Sequence, residues 1–163
     1  MGMTATAALW FLPAVIPIAI YVAWSDLQRM KIPNIAVYAL VICFAVIGLI
    51  ALPLPQYLWH WSHLVIVLLV GIILNAAGVM GAGDAKFMAA AAPFVAVADL
   101  QLVMALFAAC LLAGFVTHRI VKFSPLRQLV PHWESWTSGK RFPMGFPLAM
   151  TLVFYLGLAV FFG

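Results

Sequence analysis

The sequence predicts an all-α polytopic membrane protein, a six-transmembrane-helix bundle with both termini outside. Three observations carry that prediction. Only 7% of the 163 residues are charged and 67% are hydrophobic, against about 25% charged in an ordinary soluble domain. The apolar residues form long runs, without the alternation of strands or the stripes of soluble helices. All eight Lys and Arg residues fall in connections that a six-span chain places on one side.

The spans follow in order. The first, Ala8–Trp24, ends at Asp26. The second, Ile35–Leu52, opens after Pro33, which resets the chain, and Asn34, which is expected to cap the helix. The third, His63–Val79, follows an aromatic cluster of Trp59 and Trp61 with His60 and His63, read as an interfacial belt and not a metal site. It carries Asn75, an intramembrane amide that would bond between helices or steady the glycines that follow. The fourth, Ala85–Ala98, is short and contains Pro93. Part of the glycine-rich stretch before it can lie at membrane depth if buried in protein or facing a wet cavity. The fifth, Leu100–Thr117, is expected to be capped by Asp99. The sixth, Gly145–Phe162, follows a long loop, His118–Pro143, in which Glu134 is expected to be interfacial or solvated. Six spans of about 20 residues occupy roughly 120 positions, so residues 1–163 are read as one membrane-embedded domain.

Arg29 and Lys31 lie between the first two spans, Lys86 between the third and fourth, and Arg119, Lys122, Arg127, Lys140 and Arg141 between the last two. The opposite connections hold no basic residue, so the basic side is expected to be cytoplasmic. The net charge of +4 is then a topology signal, and no nucleic-acid partner is implied. No basic region precedes the first apolar run, which argues against a cleaved secretory signal. The Gly2 myristoylation pattern is read as chance. Cys43 and Cys110 lie in apolar runs without CxxC spacing and read as small core residues.

Two of the four acids stand out. Asp26, in SDLQRMKIPN, and Asp84, in GAGDAK, sit at the edges of apolar segments, where a carboxylate is costly and signals function. The bland readings are a local pair of Asp26 with Arg29 and an N-cap role for Asp84. Both acids fall on the expected cytoplasmic side. Gly81 and Gly83 give the backbone before Asp84 unusual freedom and room for a second chain. Two carboxylates a few ångströms apart cannot both ionise easily, so one keeps a proton while the other activates water. That is metal-free aspartic-protease chemistry, and the pair would titrate as one system.

Together with FPMGFPLA, these segments resemble the prepilin peptidases, the type IV leader peptidases of the GxGD membrane aspartic protease group. Asp26 through Asn34 resembles that family's first catalytic segment, Asp, basic residues, then Ile-Pro-Asn. Gly81-Ala82-Gly83-Asp84-Ala85-Lys86 resembles the second. Pro143-Met144-Gly145 is similar to a Pro-aromatic-Gly motif before the last span, with Met144 in the aromatic place. The resemblance implies Asp26 and Asp84 as catalytic residues. Gly81, Gly83, Lys86, Pro33, Asn34, Pro143 and Gly145 are then substrate-binding or site-supporting. The absence of paired CxxC motifs is similar to the short CpaA/TadV-like form, for which no N-methyltransferase activity is expected.

The implied partners are prepilin and pseudopilin precursors of Flp-type pili, each a basic leader followed by an apolar helix, together with the lipid bilayer. No cofactor or metal is implied, and the expected location is the bacterial inner membrane. Two other readings use the same acids: a noncatalytic proton-binding transporter or pilus-assembly subunit, and a presenilin-like protease acting on other substrates. The first needs a polar pathway through the bilayer, which the spans do not supply.

Overall fold

The structure, a computed structural model, describes residues 1–139 and 141–163. Lys140, one of the basic residues of the last loop, lies outside them. The described residues form six α-helices: α1 (Ala5–Arg29), α2 (Asn34–Ala51), α3 (Leu54–Ala76), α4 (Ala82–Ala91), α5 (Leu100–Lys122) and α6 (Gly145–Phe162). Five helical stretches are long and apolar enough to cross a membrane. Together with the family assignment below, they make this a multi-pass membrane protein.

The fourth expected span is different. α4 has 10 residues, about 15 Å, or half of a hydrocarbon core about 30 Å thick. Ala92-Pro93-Phe94 then tightens into a 3-10 turn, because Pro93 offers no N–H to continue the α-helical ladder. A second 3-10 turn, Val97–Asp99, leads into α5. The traverse is therefore a short helix continued by irregular backbone. Buried Phe94 fixes that backbone in the core, edge-on to Phe11 at 4.9 Å and to Phe44 at 5.4 Å.

Three other expectations move. α3 starts at Leu54, with Pro55 in its first turn, so the expected outer connection of Pro53–Ser62 shrinks to a tight link. His60 consequently sits on a helix and is buried. Its Nδ1 lies 2.6 Å from the Pro93 carbonyl, which makes it the partner of the broken traverse and not part of a belt. α5 runs on to Lys122. The remaining loop folds back over the bundle, with buried Trp136 stacked on His118 at 4.8 Å and its Nε1 donating to the Val130 carbonyl.

α1 and α6 form the centre of the bundle. Buried Ala7, Ala8 and Ala19 of α1 and Ala149 and Ala159 of α6 let the two approach closely. At one end Asp99 ties the amino terminus down. Its carboxylate accepts from the Gly2 N–H at 2.9 Å, the Met3 N–H at 3.2 Å and the Tyr155 hydroxyl at 2.8 Å. Asp99 occupies the cap position of α5 but makes no side-chain cap bond; it grips α1 and α6 instead of capping. The amino-terminal amine reaches the Phe162 carbonyl at 3.5 Å, so both termini share this end. Asp26 and Asp84 lie at the other.

Candidate active site

Asp26 stands in the last turn of α1. The helix stops at Met30, whose φ of 52° is the only left-handed value among the described non-glycine residues. The Met30 N–H donates to the Asp26 carbonyl at 2.9 Å. Ser25 Oγ then closes the connection by donating to the Lys31 carbonyl at 3.0 Å. The turn holds the Asp26 side chain inward, where the residue is only 4% exposed. Its Oδ2 accepts from the Gly145 N–H at 2.6 Å. A carboxylate at the amino end of an 18-residue helix meets unpaired N–H groups and the positive end of the dipole. The expected local pair with Arg29 does not describe it; its partner lies 119 positions away.

That contact explains the third motif. A Cβ on Gly145 would stand 3.0 Å from Asp26 Oδ2 and 2.9 Å from Ile32 Cγ1. Only glycine brings its N–H this close to the acid. Pro143, just ahead, is fully buried, and Phe142 and Phe146 occupy space left by Gly114 on α5.

Asp84 is the third residue of α4, with Gly81 in the cap position and no side-chain cap. The N-cap reading of Asp84 is therefore corrected. Its carboxylate reaches back to the Gly81 N–H, the half of a capping box that an acid at this position supplies. A Cβ on Gly81 would lie 2.7 Å from Asp84 Oδ2, so glycine is needed for that fold-back. Asp84 is half-buried. Burial pushes its carboxyl above the ordinary range, and the Gly81 N–H opposes that shift. The turn ahead of it is steadied by Asn75, whose Nδ2 donates to the Met80 carbonyl at 2.8 Å. On α3, Gly71 admits α4, since a Cβ there would lie 2.9 Å from Ala85 Cβ.

Both acids line one polar cleft of about 520 Å³, shared with Lys86, Arg141 and Met144 among others. Asp26 enters the cleft from the last turn of α1 and Asp84 from the first turn of α4. Ile32 is the wedge between their supports: it touches the space beside Gly83 as well as that beside Gly145. Asn34 does not cap α2, whose cap position is Pro33. Its Oδ1 accepts from Lys86 Nζ at 3.4 Å, linking the two motif segments. The structure thus gathers Asp26, Asp84, Gly81, Gly83, Lys86, Asn34 and Gly145 at one end of the bundle. Asp99 is left at the opposite end, and Glu134 is exposed on the loop.

In the sequence Ile32 is a motif residue without an evident role, and nothing there marks Met30, Arg141 or Phe142 as parts of a site. Only the hydrophobic character of Ile32 beside a charged turn hinted at packing. Among the described residues no cluster of three or more His, Cys, Asp or Glu is placed to hold a metal ion. The arrangement offers two carboxyl groups, backbone N–H donors and a cleft open to water, which suffices for general acid–base work. A family model described as the type IV leader peptidase family matches residues 14–118, a range that includes both aspartates. Comparisons with curated proteins and with solved structures gave no match.

Proposed function

The chain belongs to the type IV leader peptidase family, and from that premise we propose that it is an aspartic endopeptidase. In this reading it removes the basic leader from Flp-type prepilins and pseudopilins at the cytoplasmic face of the bacterial inner membrane. Residues 1–163 act as a single peptidase domain with both termini outside. The observation that carries the reading is the convergence of Asp26 and Asp84, from separate helices, on one polar cleft.

The chemistry follows from the pair. One carboxylate takes a proton from a water molecule as that water attacks the scissile carbonyl, while the other carboxyl gives its proton to the carbonyl oxygen. As the diol collapses, the water-derived proton passes to the leaving amine and a hydroxyl proton of the diol returns to the second carboxyl. The two share one proton because ionising both is unfavourable at short range. Gly145 orients Asp26 through its N–H, and Gly81, lacking a Cβ, leaves room for the Asp84 carboxylate to fold back. The basic residues on this side support the cytoplasmic orientation; the termini lie at the opposite end.

The test uses purified protein in liposomes with a full-length Flp-type prepilin, and amino-terminal sequencing of the product. Asp26→Asn and Asp84→Asn should each lower cleavage by about 10²–10⁴-fold while the protein still inserts. Normal cleavage by either purified variant would refute the dyad.

A further inference from the structure

We propose that a lateral groove between α3 and α5 seats the apolar helix of the precursor, directly below the acids. The proposal rests on the leader-peptidase reading above and adds where the substrate lies. α3 packs on α4 and α5 packs on α6, so α3 and α5 stand as separate walls. They are also the least buried of the five long helices. Between them is a cavity of about 330 Å³ with α4 as its floor.

Its lining fits an apolar helix. Two of its polar residues have their hydroxyls committed elsewhere: Thr151 Oγ1 donates to the Pro147 carbonyl and Tyr155 Oη to Asp99. The third, His63, has a buried Nε2 with no hydrogen-bond partner among the described residues; the rest of the lining is hydrocarbon and thioether, with small Ala91 and Ala92 in the floor. Small residues let a second helix approach closely. Met88 and Met104 adapt to side chains of different shape.

The groove also continues from the candidate site. Asp84, Phe87, Met88 and Ala91 are spaced i, i+3, i+4 and i+7 on α4, which puts them on one helix face. The acid lines the cleft, and the other three line the groove. At its far end the groove reaches Val97 and Leu100, beside Asp99. A chain laid along this face therefore has its polar segment at Asp84 and an apolar helix running down the bundle. A lipid tail needs no such registration with a carboxylate, and so the occupant is the precursor helix.

The experiment places a photo-activated benzoylphenylalanine at Ile66 on α3, at Met104 on α5, or at exposed Ile42 on α2 as control. The background is Asp84→Asn, reconstituted with full-length Flp-type prepilin in phosphatidylethanolamine–phosphatidylglycerol vesicles. Adducts to the precursor's apolar segment are expected at positions 66 and 104 and not at 42. Filling the groove with Val103→Trp in the wild-type background should lower kcat/KM by about 10–100-fold, with Ile42→Trp unchanged. Equal adducts at all three positions, lipid adducts alone, or normal cleavage by a folded Val103→Trp variant would overturn the groove. If the wild-type protein cleaves no precursor, the peptidase reading fails and this proposal falls with it.

Discussion

Replacing Gly145 by alanine tests the site most directly. The added Cβ would lie 2.9 Å from Ile32 Cγ1, 3.0 Å from Ile32 Cδ1 and 3.0 Å from Asp26 Oδ2. Ile32 is wedged between two motif segments, and the Asp26 oxygen is held by the Gly145 N–H itself at 2.6 Å. Relief requires the start of α6 to withdraw or the carboxylate to turn, and either movement loses that hydrogen bond. A bond to a charged group contributes about 1.5–3 kcal/mol. At 1.36 kcal/mol per tenfold in rate, the loss is roughly 10–150-fold if the contact is needed in the transition state. The assay is kcat/KM for prepilin cleavage, with thermal unfolding measured in parallel. Gly157→Ala is the internal control, since a Cβ there meets nothing within 4 Å. It should leave activity unchanged and raise stability by about 0.5–1 kcal/mol through helix propensity. Wild-type kcat/KM in Gly145→Ala would refute the claim that this glycine positions Asp26.

Further outcomes follow from the same structure. Asp84 has its carboxyl raised above the ordinary 3.8 by burial, so the folded state holds the proton more tightly than the unfolded one. Its stabilising contribution is complete below that ordinary value and is lost as pH rises through the raised one. Thermal unfolding across pH should therefore show Asp84→Asn more stable than wild type at neutral pH, with the gap closing as pH falls below the ordinary carboxylate range. A constant gap would count against this. Met30→Gly removes a side chain from a left-handed position and should stabilise the protein by about 1 kcal/mol, measured by denaturation in detergent; a loss of stability contradicts the strain. Tyr155→Phe leaves the Ala96 N–H without its 3.2 Å partner and should cost about 1–3 kcal/mol. Because Tyr155 also lines the proposed groove, the check is thermal unfolding, where an unchanged midpoint would contradict the bond's contribution.

The bundle was legible because hydrocarbon runs and basic connections are coarse signals that follow from the solvent itself. Asp26 and Asp84 were legible for the same reason: an acid at the edge of an apolar run is too costly to be idle. The length of α4 was not, because Pro93 breaks the ladder inside a run whose hydropathy continues unbroken. Nor was the start of α3, where Trp59, His60 and Trp61 read as an interface but lie on a helix that buries His60 and leaves Trp59 exposed. The role of Gly145 depended on a partner 119 positions away, and no local pattern encodes such a contact. Asp99 shows the same limit. Its place before a helix pointed to capping, while its actual partners, Gly2, Met3 and Tyr155, come from both ends of the chain.

The antiparallel pair α1 and α6 is joined by an acid at each extremity, Asp26 to Gly145 at one end and Asp99 to Tyr155 at the other. Sliding one helix along the other would break both attachments together, so the pair behaves as a fixed jaw. α4 is short, ends at a proline and carries Asp84 on a turn with glycines on both sides of Ala82. The second acid has a different support: α4 is packed along α3 and held beyond its end by His60 at the Pro93 carbonyl. The two carboxyls therefore meet across supports that share no helix, one tied through α6 and the other through α3.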